Sequence, residues 1–219
     1  MKHSIQKKYW EREELTVRRN YNHPAVKAFT YPKIRTILRK IKSNKKLSLL
    51  EVGCGNGFFT VPLSRVFNVK AVDFSEKMVQ LNPIKNCEVQ DANKLKEKKN
   101  SFEVVFCSNL MHHLNRPSRA IKEMKRVSKK YVVLSEPNRN NPLMFLFSAL
   151  KKEERGATKF SLNYVKRLCK KEGLKIIYGR TCGAIVPNKT PKLLVPWLKL
   201  LDKIPFLGFY ILVIAKKKK

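Results

Sequence analysis

Residues 47–60, LSLLEVGCGNGFFT, set glycines at 53, 55 and 57 directly after an apolar run, and an acid follows at Asp73 within VKAVDFS. The run 47–52 has the length and character of a buried parallel strand, which the alternate glycines break into a tight turn. Gly53, Gly55 and Gly57 are free to take positive φ and leave bare backbone for a ligand to lie against, where a Cβ would intrude. A second apolar run, 69–72, delivers Asp73 about 20 residues after the first glycine, where a carboxylate meets a ribose diol in a nucleotide-type fold. Strand, glycine turn, helix, strand and acid together predict a nucleoside-binding unit.

The same alternation runs on through the first two thirds of the chain. A helix is expected over 58–67 with Pro62 in its first turn, a strand over 69–74, and a helix over 75–81 capped by Ser75. Strands at 87–92, 102–108 and 131–135 follow, with a helix over 117–128 before the last of them. This pattern reads as an α/β fold built on a doubly wound sheet. Beyond it, helices are expected over 141–154 and 161–172, Gly173 as a C-cap, and a sixth strand over 174–178. A Pro-bracketed apolar insert, 187–205, precedes a final strand, 209–215, of the kind that pairs antiparallel near a sheet edge. Upstream, residues 1–20 read as a charged helix, and Pro24 opens an amphipathic one carrying Val26, Phe29, Ile34, Ile37, Leu38 and Ile41. We therefore divide the chain into a helical lid or cap, 1–46, and a main domain, 47–219.

At 219 residues the chain fits one domain with a full core. Its 48 Lys and Arg against 16 Asp and Glu give a net charge of +32, which predicts attraction to RNA, DNA or anionic lipid head groups. The alternative is a proteome or cytosol that favours lysine generally. The basic residues are dispersed, and only 216–219 form a pure basic run, so no nucleic-acid groove is localised. Five cysteines stand singly, with no CxxC pair to suggest zinc, as in a reduced intracellular protein, and no metal is expected. The charged N-terminal stretch lacks the apolar core of a signal peptide, and the longest apolar stretch, 204–215, is too short to span a bilayer. These features predict a soluble, cytoplasmic protein.

The residues resemble one family in particular. LLEVGCGNGFFT is similar to the first motif of the class I S-adenosylmethionine-dependent methyltransferases, VDFS to their second, EVQDAN to their third and FEVVFCSNLMHHL to their fourth. SRAIKEMKRVSKKYVVLSEPN resembles their fifth strand and its helix, so the resemblance covers about 47–138. It implies a Rossmann-like sheet of seven strands in the order 3-2-1-4-5-7-6 with strand 7 antiparallel, and S-adenosylmethionine as cofactor. A dinucleotide site is the competing reading of the glycines, but its GxGxxG fingerprint would need a third glycine where Phe58 stands. No GK[ST] follows the turn, so it is not a phosphate-binding loop of that type.

The resemblance also implies residue roles. The backbone at Gly53 and Gly55 faces the methionine part of the cofactor, with Glu51 near its amino group. Asp73 accepts from both ribose hydroxyls. Phe74 and Met78 line the adenine, unless they are simply core residues, and Asp91 receives the exocyclic amine unless it caps a helix. The Ala92 N–H sits near a ring nitrogen, and Asn109 offers backbone oxygen to the amino group.

The sulfonium is already an activated donor, so the protein has mainly to position an acceptor and exclude water. If the acceptor needs a base, His112 of the His112–His113 pair is the candidate, against the plainer reading of a histidine packed at the sheet rim. Glu136 and Asn138 are expected to face the substrate side. Tyr9, Trp10, Tyr21 and His23 suggest an aromatic lid, and Phe145, Leu146, Phe147, Phe160 and Tyr164 an opposing apolar wall. The insert pairs Leu193, Leu194, Val195, Trp197, Leu198, Leu200 and Leu201 with Lys189, Lys192, Lys199 and Lys203, a composition that suits packing, a dimer contact or peripheral membrane contact through 187–219. A small-molecule or lipid-like acceptor is the leading expectation. Its alternatives are a tRNA or rRNA methyltransferase, favoured by charge alone, and a non-catalytic cofactor-binding member.

Overall fold

The apolar run before the glycines is β1 (Ser48–Val52), whose Leu49, Leu50 and Val52 are buried because helices cover both faces of the sheet. The structure is a computed structural model describing residues 9–11, 19–43, 45–201, 204 and 208–218. β1 pairs in parallel with β2 (Asn68–Asp73) on one side and β4 (Phe102–Ser108) on the other. β3 (Cys87–Val89) extends the sheet beyond β2, and β5 (Ser128–Pro137) lies beside β4. β7 (Tyr210–Lys217) runs antiparallel between β5 and β6 (Leu174–Cys182), giving the order β3-β2-β1-β4-β5-β7-β6. The fold class, strand order and antiparallel seventh strand are those expected. Strand order reverses between β1 and β4, and a ligand of such a sheet binds outside the carboxyl ends of the strands at that reversal.

On one face, α1 (Pro24–Ile41) packs Val26, Phe29, Ile34 and Ile37 into the same cluster as Leu49, Val104 and Ile214. Residues 24–41 thus belong to the core of the sheet rather than to a detached cap. Phe29, Phe59 and Phe106 meet in tilted and edge-to-face pairs at 5.5 and 4.9 Å, each burial worth about 1.5–3 kcal/mol. On the other face, α4 (Pro117–Val127) and α6 (Leu162–Lys171) bury Ile121, Met124, Val165 and Cys169.

Several bounds differ from expectation for visible reasons. The helix after the glycines is only α2 (Thr60–Ser64), because the turn consumes the residues before it. Ser75 caps α3 (Glu76–Leu81), its Oγ accepting from the Met78 N–H at 3.2 Å, as expected. β3 stops at Val89 since Asp91 opens a turn instead of continuing the strand. The helix expected over 141–154 is α5 (Pro142–Leu150), followed by 3₁₀ turns over Lys152–Lys159. Gly173 does take the left-handed position after α6, with φ +73°, while β6 runs on to Cys182 along β7. The insert forms a 3₁₀ turn, Lys192–Leu194, and α7 (Val195–Leu201). Most of the expected 1–20 helix, with Lys203 and Pro205, lies outside the described residues. No helix among the described residues is long and apolar enough to cross a membrane. All five cysteines are free thiols.

Candidate active site

The turn after β1 is held by its neighbours. The N–H groups of Gly53 and Cys54 both donate to the Val72 carbonyl, at 2.8 and 3.1 Å, which ties the loop to β2. The Gly55 N–H donates to Asp73 Oδ2 at 2.8 Å, and the Ser75 N–H to Oδ1 at 3.1 Å, so the carboxylate is oriented before any ligand arrives. Two of the roughly four acceptor positions of a carboxylate go to these donors. Gly55 has φ +53° and a Cβ there would meet open space, which is the cavity. Gly57 differs: a Cβ there would lie 2.8 Å from Pro83, so it serves close packing against the end of α3. It does not line the cavity, and the ligand-facing role expected of it is corrected accordingly.

The cavity opens at the carboxyl ends of β1, β2 and β4, and its wall includes Glu51, Gly53, Gly55, Asp73, Phe74, Asp91, Ala92 and Asn109. Most of the expected cofactor residues therefore converge on one space. Met78 is the other exception, since it is buried on α3 away from the lining, and here the core reading holds. Asp91 caps no helix: its Oδ1 accepts from the Asn93 N–H at 2.8 Å and from the Asn93 side chain at 2.9 Å, leaving the residue exposed at the rim. Phe29, Phe58, Phe59, Leu110 and Leu114 complete the wall. Their contribution was invisible in sequence because they come from three separate segments.

Glu51 is 2% exposed, and its Oε2 has no hydrogen-bond partner among the described residues. Burial pushes its carboxyl up to about 8, with the Thr60 hydroxyl partly opposing the shift. The Asn109 side-chain oxygen and the Ser108 hydroxyl, both on the same wall, are likewise buried without a partner. A buried acid beside two unmet polar groups suits a cationic amine. From the ordinary value of 4.5 to about 8 the folded protein holds a proton that the unfolded chain has released, so this residue makes stability fall as pH rises across that window. Thermal melts between about pH 5 and about pH 9 should show a steeper decline for the wild type than for Glu51→Gln. Parallel profiles would remove Glu51 as the source.

Trp10 lies over the cavity, and its carbonyl accepts from the Ser75 hydroxyl at 3.1 Å. The Arg19 carbonyl accepts from the Asn56 side chain, while the Arg19 guanidinium donates to the carbonyls of Pro187 and Thr190. The described part of the N-terminal segment is thus fastened both to the glycine turn and to the insert. Tyr9 stacks edge-on against Trp10 at 5.1 Å. Tyr21 and His23 do not line the cavity, and His23 instead caps α1, accepting from the Ala25 N–H.

His112 is not placed to act as the expected base. It is 1% exposed, absent from the cavity wall, and both ring nitrogens are engaged: Nδ1 with Glu136 at 2.6 Å and Nε2 with Glu154 at 3.1 Å. Burial alone would lower it, but the hydrogen bonds and charges of the two carboxylates raise it to about 9. The packed-histidine reading is the one the geometry fits. Its neighbour His113 faces the cavity instead, with Trp10 edge-on at 5.5 Å. Glu136 and Asn138, expected on the substrate side, are turned inward. Glu136 accepts from the N–H groups of Leu110 and Met111 at 3.1 and 3.0 Å, and Asn138 donates to the Gly208 carbonyl.

A seven-stranded sheet in this order, with a glycine turn and an acid at its point of reversal, is the Rossmann-like fold of the class I S-adenosylmethionine-dependent methyltransferases. Residues 50–134 match the family described as "Methyltransferase domain". The chain is similar to a ubiquinone biosynthesis O-methyltransferase of Rickettsia prowazekii, 34% identical over 94 residues, covering 37% of this chain and 37% of that protein. It is also similar to a malonyl-[acyl-carrier protein] O-methyltransferase of Bacillus anthracis, 27% identical over 109 residues, covering 45% and 39%. The matches thus span under half the length of these curated relatives. In fold it resembles magnesium protoporphyrin IX methyltransferase of Synechocystis with bound SAH, with a TM-score of 0.68 at 15% identity, covering 99% of this chain and all of that one.

Proposed function

We propose that the chain binds S-adenosylmethionine in this cavity and transfers its methyl group to an oxygen of a small or lipid-like acceptor. The observation that carries the reading is the buried, unpartnered Glu51 carboxylate oxygen set across the glycine turn from the pre-oriented Asp73. Glu51 and Asn109 suit the amino acid end of the cofactor, Asp73 its ribose hydroxyls, and Phe74, Asp91 and Ala92 its base. The cofactor supplies an electrophilic methyl on sulfur. Trp10 excludes water above it, and the phenylalanines with Leu110 and Leu114 suit an apolar acceptor. The two O-methyltransferase relatives support oxygen as the acceptor atom. Incubating the protein with methyl-labelled cofactor and separated lipid, small-molecule, RNA and protein fractions should label the first two. Label confined to RNA or protein would overturn the acceptor assignment.

A second reading, RNA as acceptor, is favoured by a groove beside the cavity lined by Lys94, Arg116, Arg119 and Lys122. Binding of this kind should weaken by roughly ten-fold or more over a few-fold rise in salt. Peripheral membrane contact through the insert is supported by the exposure of Leu193, Trp197 and Leu200 beside Lys192 and Lys199. That reading, and a cytoplasmic location, rest on composition and exposure.

A further inference from the structure

We propose that His112, His113 and Glu154 form a binding site for one divalent cation of the zinc class at the edge of the cavity. Each of the three offers one ligand atom, and these atoms all lie within 4.8 Å of one another. Two imidazoles and a carboxylate are the ligand count of a zinc centre that keeps its fourth position open. The set is assembled from the turn Met111–His113 and the 3₁₀ segment Lys152–Lys159, 42 positions apart, so no local spacing in the sequence announces it.

Three features distinguish this cluster from an ordinary surface ion pair. Both histidines are buried and Glu154 is only 23% exposed, so few waters compete for the ligands. His112 Nδ1 bonds to the fully buried Glu136 at 2.6 Å, which directs Nε2 toward Glu154; a metal-ligating histidine is held by a carboxylate in the same way. Aromatic rings flank the pair, Phe160 against His112 and Trp10 against His113, and fix the ring planes. A cation would take the place of the proton on Nε2, and His112 would then bind as neutral imidazole with that proton released to solvent. Because His113 forms part of the cavity wall, a cation held by it would lie beside the space proposed for the cofactor. Resting on the O-methyl reading above, an acceptor hydroxyl bound there would lose its proton more readily, as water does on zinc.

The test uses metal-stripped protein titrated with Co(II). One equivalent should bind and give the intense visible absorption of a tetrahedral nitrogen and oxygen site. Glu154→Gln and His113→Ala should each weaken binding by at least about 10- to 100-fold. Zn(II) should raise the wild-type melting temperature in a concentration-dependent way, a measurement that needs no variant to fold. Co(II) bound without the tetrahedral spectrum, equal affinity in the variants, or a melting temperature unmoved by Zn(II) would mean that the cluster is only an imidazolium held between carboxylates. None of these readouts requires methyl transfer, so a wrong acceptor assignment and a missing metal would be told apart.

Discussion

Asp73→Ala should weaken binding of S-adenosylhomocysteine by roughly 30- to 1000-fold, an effect of about 2–4 kcal/mol from removing a charged acceptor of two hydroxyl hydrogen bonds. The side chain sits at the carboxyl end of β2, 8% exposed, with each oxygen already oriented by a backbone N–H of the turn or of the cap. The variant therefore loses both the acceptor and the strut that holds Gly55. Asp73→Asn keeps one acceptor oxygen and should fall between. Calorimetric titration beside a melting curve separates a binding loss from a folding loss, and an unchanged affinity in a folded Asp73→Ala would refute the ribose assignment.

Glu136→Ala should destabilise the metal-free fold by about 3–5 kcal/mol, a fall in melting temperature of roughly 6–20 °C. Glu136 is fully buried and serves three donors at once: the Leu110 and Met111 N–H groups and His112. Removing it strands two backbone donors and leaves a buried histidine with Glu154 as its remaining anionic partner. The turn that follows β4, which carries Asn109 and His113 to the cavity, would lose its main anchor. Differential scanning calorimetry checks this, and a fall of less than about 2 °C would show that the network is dispensable.

The sheet was legible because its determinants are local. Residues 47–52, 69–72 and 102–108 are apolar runs short enough to be strands, and three glycines and Asp73 mark the point where the strand order reverses. That Glu51, Gly53, Gly55 and Asp73 wall one cavity followed from the same local marks. Gly57 and Met78 were misplaced because sequence reports that a glycine or an apolar residue is needed, and not whether a ligand or a neighbouring helix needs it. The acceptor side was harder for a different reason. His112 and His113 are adjacent and chemically identical, and which one meets the cavity depends on Glu136 and Glu154, 24 and 42 positions from His112. Expecting Glu136 among substrate-binding groups had the right neighbourhood and the wrong direction, since its oxygens are committed to backbone N–H groups and His112. Trp10 over the cavity, by contrast, was anticipated from an aromatic lid, although its hold on Ser75 involves a carbonyl that no sequence pattern displays.

On the proposed reading, this cavity takes an aminoacyl nucleoside with a cationic amine, held between Glu51 and Asp73. Isothermal titration of the wild-type protein with S-adenosylhomocysteine checks this, with NADH run alongside. One saturable equivalent of S-adenosylhomocysteine, with a proton released near neutral pH as Glu51 ionises to meet the amine, and no binding of NADH, is the predicted result. Absence of saturable heat with S-adenosylhomocysteine, or tighter binding of NADH, would rule out this cofactor for the cavity.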